Sequence, residues 1–450
     1  MRKLKLVTAA TAVAVIASFG LAGCSASGSS GSTTIKVSYE KTSASPQLDT
    51  VLQAAKKTFE KAHKGVTIDL EPVNAGDTDY KTKLALSERT ASTAPDVFYE
   101  DTADIQADQA AGYLLKLNPY LAKWSDWSQF TAAAKKAGAG TDGTYGVPLG
   151  VDARVIWYDK PVLQKAGVAL PWQPKSWQDI LDTAAKVKAA EPGVVPFSMY
   201  AGTPMAESTT ITSALMLLTG AGGSLYDSST KKWIVGSSAM TTSLTFLKKL
   251  YTEQYATSVQ DALDPNAWQT VQGKLFPNNQ IGGTVEDSNL PSAWSTGGSY
   301  PWADYKTDAG VAYFPTENGG GQGYTSMSGG WTLAVGAKTK NPQLAFDFLS
   351  TALDKTNAIA YDNSAAQIAV RKDVAADPTY LAANPFVAAI TKAVDYTHFR
   401  PSTSSYPAVS GFIQTATEQV ITGKQTPAQA AAAYDASVTK LVGAGKTAKQ

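Results

Sequence analysis

Charged side chains fall at a few positions of this sequence where they could bind a polar molecule. Asp152 and Arg154 lie two residues apart in an extended segment, so on a strand they share one face. A carboxylate beside a guanidinium can direct forked hydrogen bonds to hydroxyl groups, or it can be a purely structural ion pair. Other carboxylates fall where predicted strands end, and each is either a ligand contact or a solvated surface charge: Glu40, Asp101, Glu286 and Asp287.

Aromatic residues are the second set with binding potential. The chain has 10 Trp and 20 Tyr residues, and such side chains combine an apolar face with a polar group, which suits sugar rings. Trp157 and Trp177 are predicted core residues. For the remaining candidates the alternative to ligand contact is ordinary packing. These candidates, with one glycine beside them, lie at strand ends or in loops: Tyr99, Trp268, Trp294, Gly330 and Trp331.

Several other chemistries have little support. Two histidines, His63 and His398, cannot form a multi-histidine metal site, and neither a metal nor a cofactor is predicted. His398 is either a packed or solvated ring or a ligand contact. The stretch GAGKT lacks the glycine five residues before Gly445 that a phosphate-binding loop requires. No G-x-S-x-G motif supports a serine hydrolase of the fold that carries it.

The N-terminal segment predicts export. Three basic residues are followed by an apolar stretch over residues 6–19 and by small residues before Cys24, the only cysteine in the chain, as in a secretory signal peptide. An uncleaved membrane anchor is the alternative, but polar residues interrupt the apolar stretch. The order Leu-Ala-Gly-Cys resembles the lipobox of bacterial lipoproteins. This implies a signal peptide at residues 1–23, lipidation of Cys24 and a flexible tether over residues 24–34.

Composition and length predict a globular protein of two lobes. Apolar residues make up 44% of the chain and charged residues 17%, as in ordinary globular proteins. Removal of the signal peptide would change the formal net charge from +1 to about −2, which gives no reason to expect a nucleic acid partner. The remaining length exceeds the roughly 250–300 residues at which a single core stops growing.

The first part of the chain predicts alternating strands and helices. Apolar residues alternate in TIKVSYE and GVTIDLEPV, which indicates strands, and between them they recur with helical spacing. A helix around residues 80–90, a buried strand in APDVFYED and a helix near residues 105–111 continue the pattern. Such alternation favours an α/β fold with a parallel sheet, in which ligands bind at the carboxyl ends of the strands.

Residues 143–188 carry the most informative pattern, with YGVP, a Tyr-Asp-Lys triplet, KAG, and a helix for which Ser176 is the predicted N-cap. APDVF, GGWTLAVGAKTKNPQLAFDFLSTAL, VRKDV and ITGKQTPAQAAAAYDASV complete an ordered set over nearly the whole chain. With these motifs the chain resembles the bacterial extracellular solute-binding proteins, the family that includes maltose-binding protein. In one departure, NNQIGGTVEDSN at 278–289 replaces a Trp-containing motif of the family, which leaves open which second-lobe residue caps the ligand.

The resemblance implies a two-lobed periplasmic-binding-protein-like fold of the α/β class, each lobe a mainly parallel sheet flanked by helices, hinged around a central cleft. The implied first lobe is 35–149 plus 316–352, and the second lobe is 150–315 plus 353–450. The implied hinges are short segments marked by glycine and proline, near 146–152 and 310–316.

The resemblance also implies site residues and partners. Asp152 matches an acidic ligand contact on the hinge strand, and Arg371 matches a basic position near the cleft. The implied function is that of a receptor, not an enzyme, which captures a carbohydrate, an oligosaccharide, and delivers it to the permease subunits of an ABC-type importer. The implied location of this monomer is the outer face of the cell membrane, through a lipid anchor, on the periplasmic side if the organism has an outer membrane.

Two other functions remain open at this point. The same fold could bind a non-sugar solute such as a peptide or a polyamine. A lipid-anchored glycoside hydrolase would instead need two carboxylates about 5–10 Å apart across one glycosidic bond, and the sequence offers paired carboxylates.

Overall fold

The computed structural model describes residues 33–42 and 45–450. The predicted signal peptide and Cys24 lie outside these residues. The strands are, in chain order, β1 (Thr33–Lys41), β2 (Val66–Asn74), β3 (Val97–Asp101), β4 (Gly146–Pro148), β5 (Arg154–Asp159), β6 (Tyr226–Asp227), β7 (Lys232–Val235), β8 (Gly283–Asp287), β9 (Ala309–Ala312), β10 (Phe314–Pro315), β11 (Tyr324–Ser328), β12 (Trp331–Val335), β13 (Thr397–Phe399) and β14 (Thr447–Lys449).

The α-helices lie between and after these strands. They are α1 (Gln47–Ala62), α2 (Asp77–Ser87), α3 (Ile105–Ala111), α4 (Asn118–Leu121), α5 (Ala132–Ala137), α6 (Lys160–Lys165), α7 (Trp177–Ala190), α8 (Ala206–Ser208), α9 (Leu215–Gly220), α10 (Ser238–Thr252), α11 (Val259–Ala262), α12 (Ala267–Thr270), α13 (Leu290–Trp294), α14 (Tyr305–Asp308), α15 (Pro342–Ala352), α16 (Lys355–Ala365), α17 (Lys372–Ala375), α18 (Pro378–Ala383), α19 (Val387–Ala393), α20 (Tyr406–Ile421) and α21 (Pro427–Val442).

The first lobe is built on a five-stranded sheet in the order β2-β1-β3-β12-β4. β1 pairs in parallel with β2 and β3, and β12 returns antiparallel between β3 and β4. The alternating residues Ile35, Val37 and Tyr39 are all buried, as a strand with one face in the core requires. β1 begins at Thr33, so the last two residues of the predicted tether belong to this sheet.

The sheet at the start of the second lobe has the order β8-β5-β9. β5 pairs antiparallel with both neighbours, so these pairings differ from the mainly parallel sheet implied for each lobe. The physical reason for the β9 pairing is that β5 carries the chain out of the first lobe, whereas β9 leads back towards it. Parallel contacts occur beside β8 as bridges, at Val195–Ile281 and Ser198–Thr284.

Two large cores meet at β5. Ile156 is buried in the second-lobe core with Trp177, whereas the next residue, Trp157, is buried in the other core with Trp294 and Phe386. Successive side chains of a strand point to opposite faces, so β5 is covered on both sides. The predicted core positions of Trp157 and Trp177 are confirmed, with 0% and 4% exposure.

Two segments lie with a different lobe from the one implied by the resemblance. β11 hydrogen-bonds to β10 and β13, and Met327 is buried in the second-lobe core, so residues 316–328 pack with the second lobe. The chain reaches the first sheet only after Gly329 and Gly330, whereas the implied hinge at 310–316 lies at β9 and β10 of the second lobe. Conversely, α16 packs against α1, which places residues 355–365 with the first lobe.

Local helix signals agree with the structure. Ser176 accepts a hydrogen bond from the backbone N–H of Asp179 at 3.2 Å and caps α7. Thr426 and Gln429 form a capping box at the start of α21. None of the helices in the described ranges combines the length and apolar character that crossing a bilayer requires.

Candidate functional site

A cavity of about 870 Å³ lies between the two lobes. Its wall is formed by the ends of β1 and β3, the start of α1, the crossover segments and the second-lobe segments around α12 and α13. Eight of the twelve predicted ligand residues line it: Glu40, Tyr99, Asp152, Arg154, Trp268, Asp287, Gly330 and Trp331.

An ion-pair triad lies on the second-lobe side of this cavity. Arg154 begins β5, and the β5–β8 register places Asp287 directly opposite it. One guanidinium nitrogen of Arg154 lies 2.8 Å from Asp152 Oδ1, and the other lies 3.1 Å from Asp287 Oδ2. Burial raises the pKa of Asp287 above its usual range, and the neighbouring Asp152 adds to that effect, although Arg154 opposes it. Asp152 lies before β5 and not on a strand with Arg154 as predicted, yet the two side chains do meet.

Asp152 also holds the returning chain. Its Oδ1 accepts the backbone N–H of Gly329 at 2.6 Å, and its backbone carbonyl accepts the hydroxyl of Ser328 at 2.7 Å. Gly330 follows with φ +134°, and a Cβ atom there would lie 3.1 Å from the carbonyl oxygen of Gly150. Glycine is therefore required where the two crossover segments meet.

The first-lobe wall carries an aromatic pair. The rings of Tyr99 and Trp331 stack with centroids 4.2 Å apart and planes 8° apart, because β12 and β3 are adjacent strands. Lys81 Nζ lies 5.3 Å from the Trp331 ring centre. Tyr99 therefore covers one face of Trp331, so the indole does not offer both faces to a solute.

Glu40 lies at the end of β1 beside this pair. Burial, with a smaller contribution from Asp77, raises the pKa of Glu40 to about 7, although Lys81 opposes the shift. Glu40 is thus a cavity carboxyl group whose negative charge is only weakly compensated by Lys81.

The second-lobe wall contains residues that the sequence did not single out. Trp268 and Tyr300 pack edge to face with ring centroids 5.9 Å apart, and Gln272, Asn289 and Tyr300 join Trp268 in the lining. The sequence could have pointed to Asn289 as a cavity residue, because Asn289 ends the stretch that replaces the family's Trp-containing motif. Gln272 and Tyr300 reach the cavity only through tertiary packing.

Trp294 does not line this cavity. It is fully buried, with its ring about 5 Å from those of Trp157, Phe276 and Trp302. Its indole N–H donates to the backbone carbonyl of Gln272 at 2.9 Å. Burial with a satisfied donor makes Trp294 a core residue that supports the cavity wall.

Arg371 is also a structural residue. It is 2% exposed, and its guanidinium pairs with Asp126 at 2.9 Å and with Asp373 at 2.8 Å. It donates a further hydrogen bond to the carbonyl of Leu353 at 2.9 Å. Its backbone also pairs with that of Phe130 of the first lobe, so Arg371 packs with the first lobe rather than with the second lobe implied by the resemblance, away from the cavity lining.

The last two predicted site residues are engaged by protein partners. Glu286 precedes Asp287 on β8 and so points to the opposite face, where it accepts hydrogen bonds from Tyr200 and from Gln272. Asp101 is 4% exposed and pairs with Lys81 at 2.6 Å and with Arg400 at 2.7 Å.

Arg400 links the two lobes. It follows β13, and besides Asp101 of the first lobe it contacts Glu207 of the second lobe at 3.4 Å. Nearby, the hydroxyl of Ser402 donates to the carbonyl of Ala103 at 3.0 Å. Arg400 also borders a second cavity of about 830 Å³, which includes His398 and shares no lining residue with the first.

No group of three or more His, Cys, Asp or Glu side chains within residues 33–42 and 45–450 is arranged to hold a metal ion. Among the described cavity residues, the arrangement offers carboxylates, one guanidinium, amides and aromatic rings. Such a set can orient a polyhydroxylated molecule through hydrogen bonds and ring contacts.

Comparisons with known proteins agree with this geometry. The sequence model of the bacterial extracellular solute-binding proteins matches residues 44–359. A probable ABC transporter-binding protein from Deinococcus radiodurans is 28% identical over 316 residues, which cover 66% of this chain and 69% of that protein.

Two solved structures show the same fold at lower identity. The GacH receptor of Streptomyces glaucescens, determined without ligand and with acarbose and an acarbose homologue, is 24% identical, with a TM-score of 0.74 over 91% of this chain and 98% of that one. Maltose-bound MalE3 from T. maritima is 21% identical, with a TM-score of 0.76 over 91% of this chain and 100% of that one.

Proposed function

Because this chain belongs to the bacterial extracellular solute-binding proteins, we propose that it is the receptor of an ABC-type importer and captures an oligosaccharide between its two lobes. The observation that carries this proposal is the interlobe cavity that combines the triad Asp152–Arg154–Asp287 with aromatic walls. Its volume of about 870 Å³ lies in the upper part of the range of small-molecule sites, about 300–1,000 Å³. The acarbose and maltose complexes of similar structures support a sugar as the solute.

We assign a role to each part of the cavity. The triad donates and accepts hydrogen bonds with sugar hydroxyls, since bonds to charged groups are stronger than neutral ones. Trp268 and Tyr300 offer apolar ring surface from the second lobe, and Trp331, supported from behind by Tyr99, offers it from the first. Glu40 contacts the solute from the end of β1.

The proposed motion is closure of the lobes around the solute. The crossovers at residues 149–153 and at Gly329–Gly330 connect the two sheets and border the cavity. A solute that contacts both lobes binds the closed form preferentially and shifts the population towards it.

A thermal-shift screen tests the proposal directly. Maltotriose and cellotriose represent oligosaccharides, triglycine a peptide and spermidine a polyamine. A bound solute at 100 times its Kd should add about 2.7 kcal/mol of stability, and small-angle scattering with that solute should show a smaller radius of gyration. A shift with spermidine or triglycine alone would contradict a carbohydrate receptor, and release of shorter sugars during incubation would indicate a glycoside hydrolase.

Attachment to the membrane is a separate part of the proposal. The lipobox-like sequence before Cys24 motivates a lipid anchor at the outer face of the cell membrane, where a monomer could reach the permease subunits. In cells, Cys24→Ala should move the protein from the membrane fraction to the soluble or precursor fraction. The measurement is intact-mass analysis of the membrane-bound protein, and an unmodified Cys24 in the mature form would refute the anchor.

A further inference from the structure

The interlobe cavity has a local excess of carboxyl groups over cations. Its lining contains three carboxylates, Glu40, Asp152 and Asp287, and one cation, Arg154. The chain as a whole has a formal net charge of +1, so the excess belongs to this site and not to the protein surface in general. A cationic group on the solute would favour the ionised forms of these carboxyl groups at short range, where little water screens the attraction.

Glu40 has no cation of its own. No hydrogen bond or ion pair joins its side chain to another residue in the part of the chain that the structure describes. Lys81, the nearby cation, lies 2.6 Å from Asp101, 3.1 Å from Asp104 and 3.5 Å from Asp77. Lys81 is thus shared among three other carboxylates, so it only partly offsets burial, which raises the pKa of Glu40 to about 7.

Among the described residues no second cation pairs with the triad, because the neighbouring Arg400 is engaged by Asp101 and Glu207. Asp152 and Asp287 share the single guanidinium of Arg154, so the group keeps one surplus negative charge when all three side chains are ionised. The raised pKa of Asp287 reflects its burial and the nearby carboxylate of Asp152. A cationic group on the solute would reduce the repulsion at both positions.

Arg154 favours a second feature of the solute, a hydrogen-bond acceptor. The residue is 9% exposed, lines the cavity, and has a buried Nε–H without a hydrogen-bond partner among the described residues. A buried donor without a partner costs free energy, so a solute acceptor that reaches Nε–H when the lobes close would remove that cost. A hydroxyl oxygen suits this position better than a carboxylate, because Asp152 and Asp287 flank the guanidinium and would repel a third negative charge.

We propose, on the basis of the carbohydrate-receptor function above, that the solute is an amino sugar, whose protonated amine pairs with the cavity carboxylates while a hydroxyl oxygen accepts from Arg154. A polyamine supplies the cation but no acceptor for Nε–H. A neutral sugar supplies the acceptor but no cation for the cavity carboxyl groups, so Glu40 keeps its raised pKa. A peptide supplies both, but its carboxylate would meet the flanking aspartates.

Matched sugar pairs test the charge requirement. Calorimetry at about pH 7 compares glucosamine with glucose, galactosamine with galactose, and the β-1,4-linked glucosamine trisaccharide with cellotriose. At this pH sugar amines are still largely protonated and Glu40, with a pKa of about 7, is about half ionised before the solute binds. Within at least one pair the aminated sugar should bind about tenfold or more tightly, and the preference should shrink as salt is added. Glu40→Gln should reduce it to less than about threefold while the affinity for the neutral partner changes little.

The control is Glu253→Gln, which removes the same charge from an exposed position outside both cavities and should leave the preference unchanged. Equal or tighter binding of every neutral partner, or no binding of any aminated sugar, would overturn the inference. If maltotriose or cellotriose binds in that case, the carbohydrate receptor still stands. Binding of spermidine or triglycine alone would refute both this inference and the proposed function.

Discussion

Replacement of Arg400 by methionine is expected to lower the free energy of unfolding by about 3–5 kcal/mol, the usual cost of breaking a buried ion pair from one side. The guanidinium side chain is 9% exposed and lies 2.7 Å from Asp101 and 3.4 Å from Glu207. Methionine fills similar space but leaves Lys81 as the one cation that pairs with Asp101 among the described residues. Urea denaturation followed by circular dichroism measures the loss.

The same variant should loosen the contact between the lobes, because Asp101 ends β3 in the first lobe whereas Arg400 belongs to the second. Small-angle scattering without solute should show a larger radius of gyration than for the wild type. Arg371→Met is the matched control. It also removes a buried guanidinium with two carboxylate partners, but inside the first lobe, so it should destabilise the fold without changing the radius. Equal radii for all three proteins would show that Arg400 does not hold the lobes together.

The pH dependence of stability should reveal the same ion pair between Asp101 and Arg400. Although burial opposes the effect, Arg400 and Lys81 hold the pKa of Asp101 below its usual range. A carboxylate with a depressed folded-state pKa contributes stability above its unfolded pKa of about 3.9 and loses it as the pH falls. The Arg400→Met variant should therefore depend less steeply on pH in that range than the wild type.

The sequence predicts much of the first lobe because its signals are local. The alternation at Ile35, Val37 and Tyr39 depends only on which residues face the core, and α1 is specified by its apolar spacing. The contact between Asp152 and Arg154 could also be predicted, because the two residues are only two positions apart in the chain. Strand-end positions such as Glu40 and Tyr99 could be predicted because the carboxyl ends of parallel strands meet at one edge of a sheet.

The remainder depends on contacts distant in sequence. Trp268 and Trp294 occupy similar polar surroundings in the sequence, yet Trp294 is buried between Trp157 and Trp302 while Trp268 lines the cavity. The difference arises from how α13 packs, which no local pattern contains. In the same way, whether α16 joins the first or the second lobe is decided by its contact with α1.

Loss of the Asp152 carboxylate is expected to weaken binding of the sugar identified in the screens by about 10- to 100-fold. When the lobes close, the ion pair with Arg154 loses water and must recover hydrogen bonds from the solute, and hydrogen bonds to charged groups contribute about 1.5–3 kcal/mol each. Asp152→Ala should lower stability much less than affinity, because Arg154 keeps its contact with Asp287 at 3.1 Å.

Asp152→Asn separates the two tasks of this side chain. The amide oxygen can still accept the backbone N–H of Gly329, which Asp152 holds at 2.6 Å, but the negative charge beside Arg154 is lost. If Asp152 acts on the solute, both variants should bind weakly while Asp152→Asn keeps nearly wild-type stability. If it only fixes the crossover, Asp152→Asn should bind normally and only Asp152→Ala should be destabilised. Calorimetry and urea denaturation on both variants distinguish these outcomes, and wild-type affinity in Asp152→Ala would remove the triad from the proposed binding site.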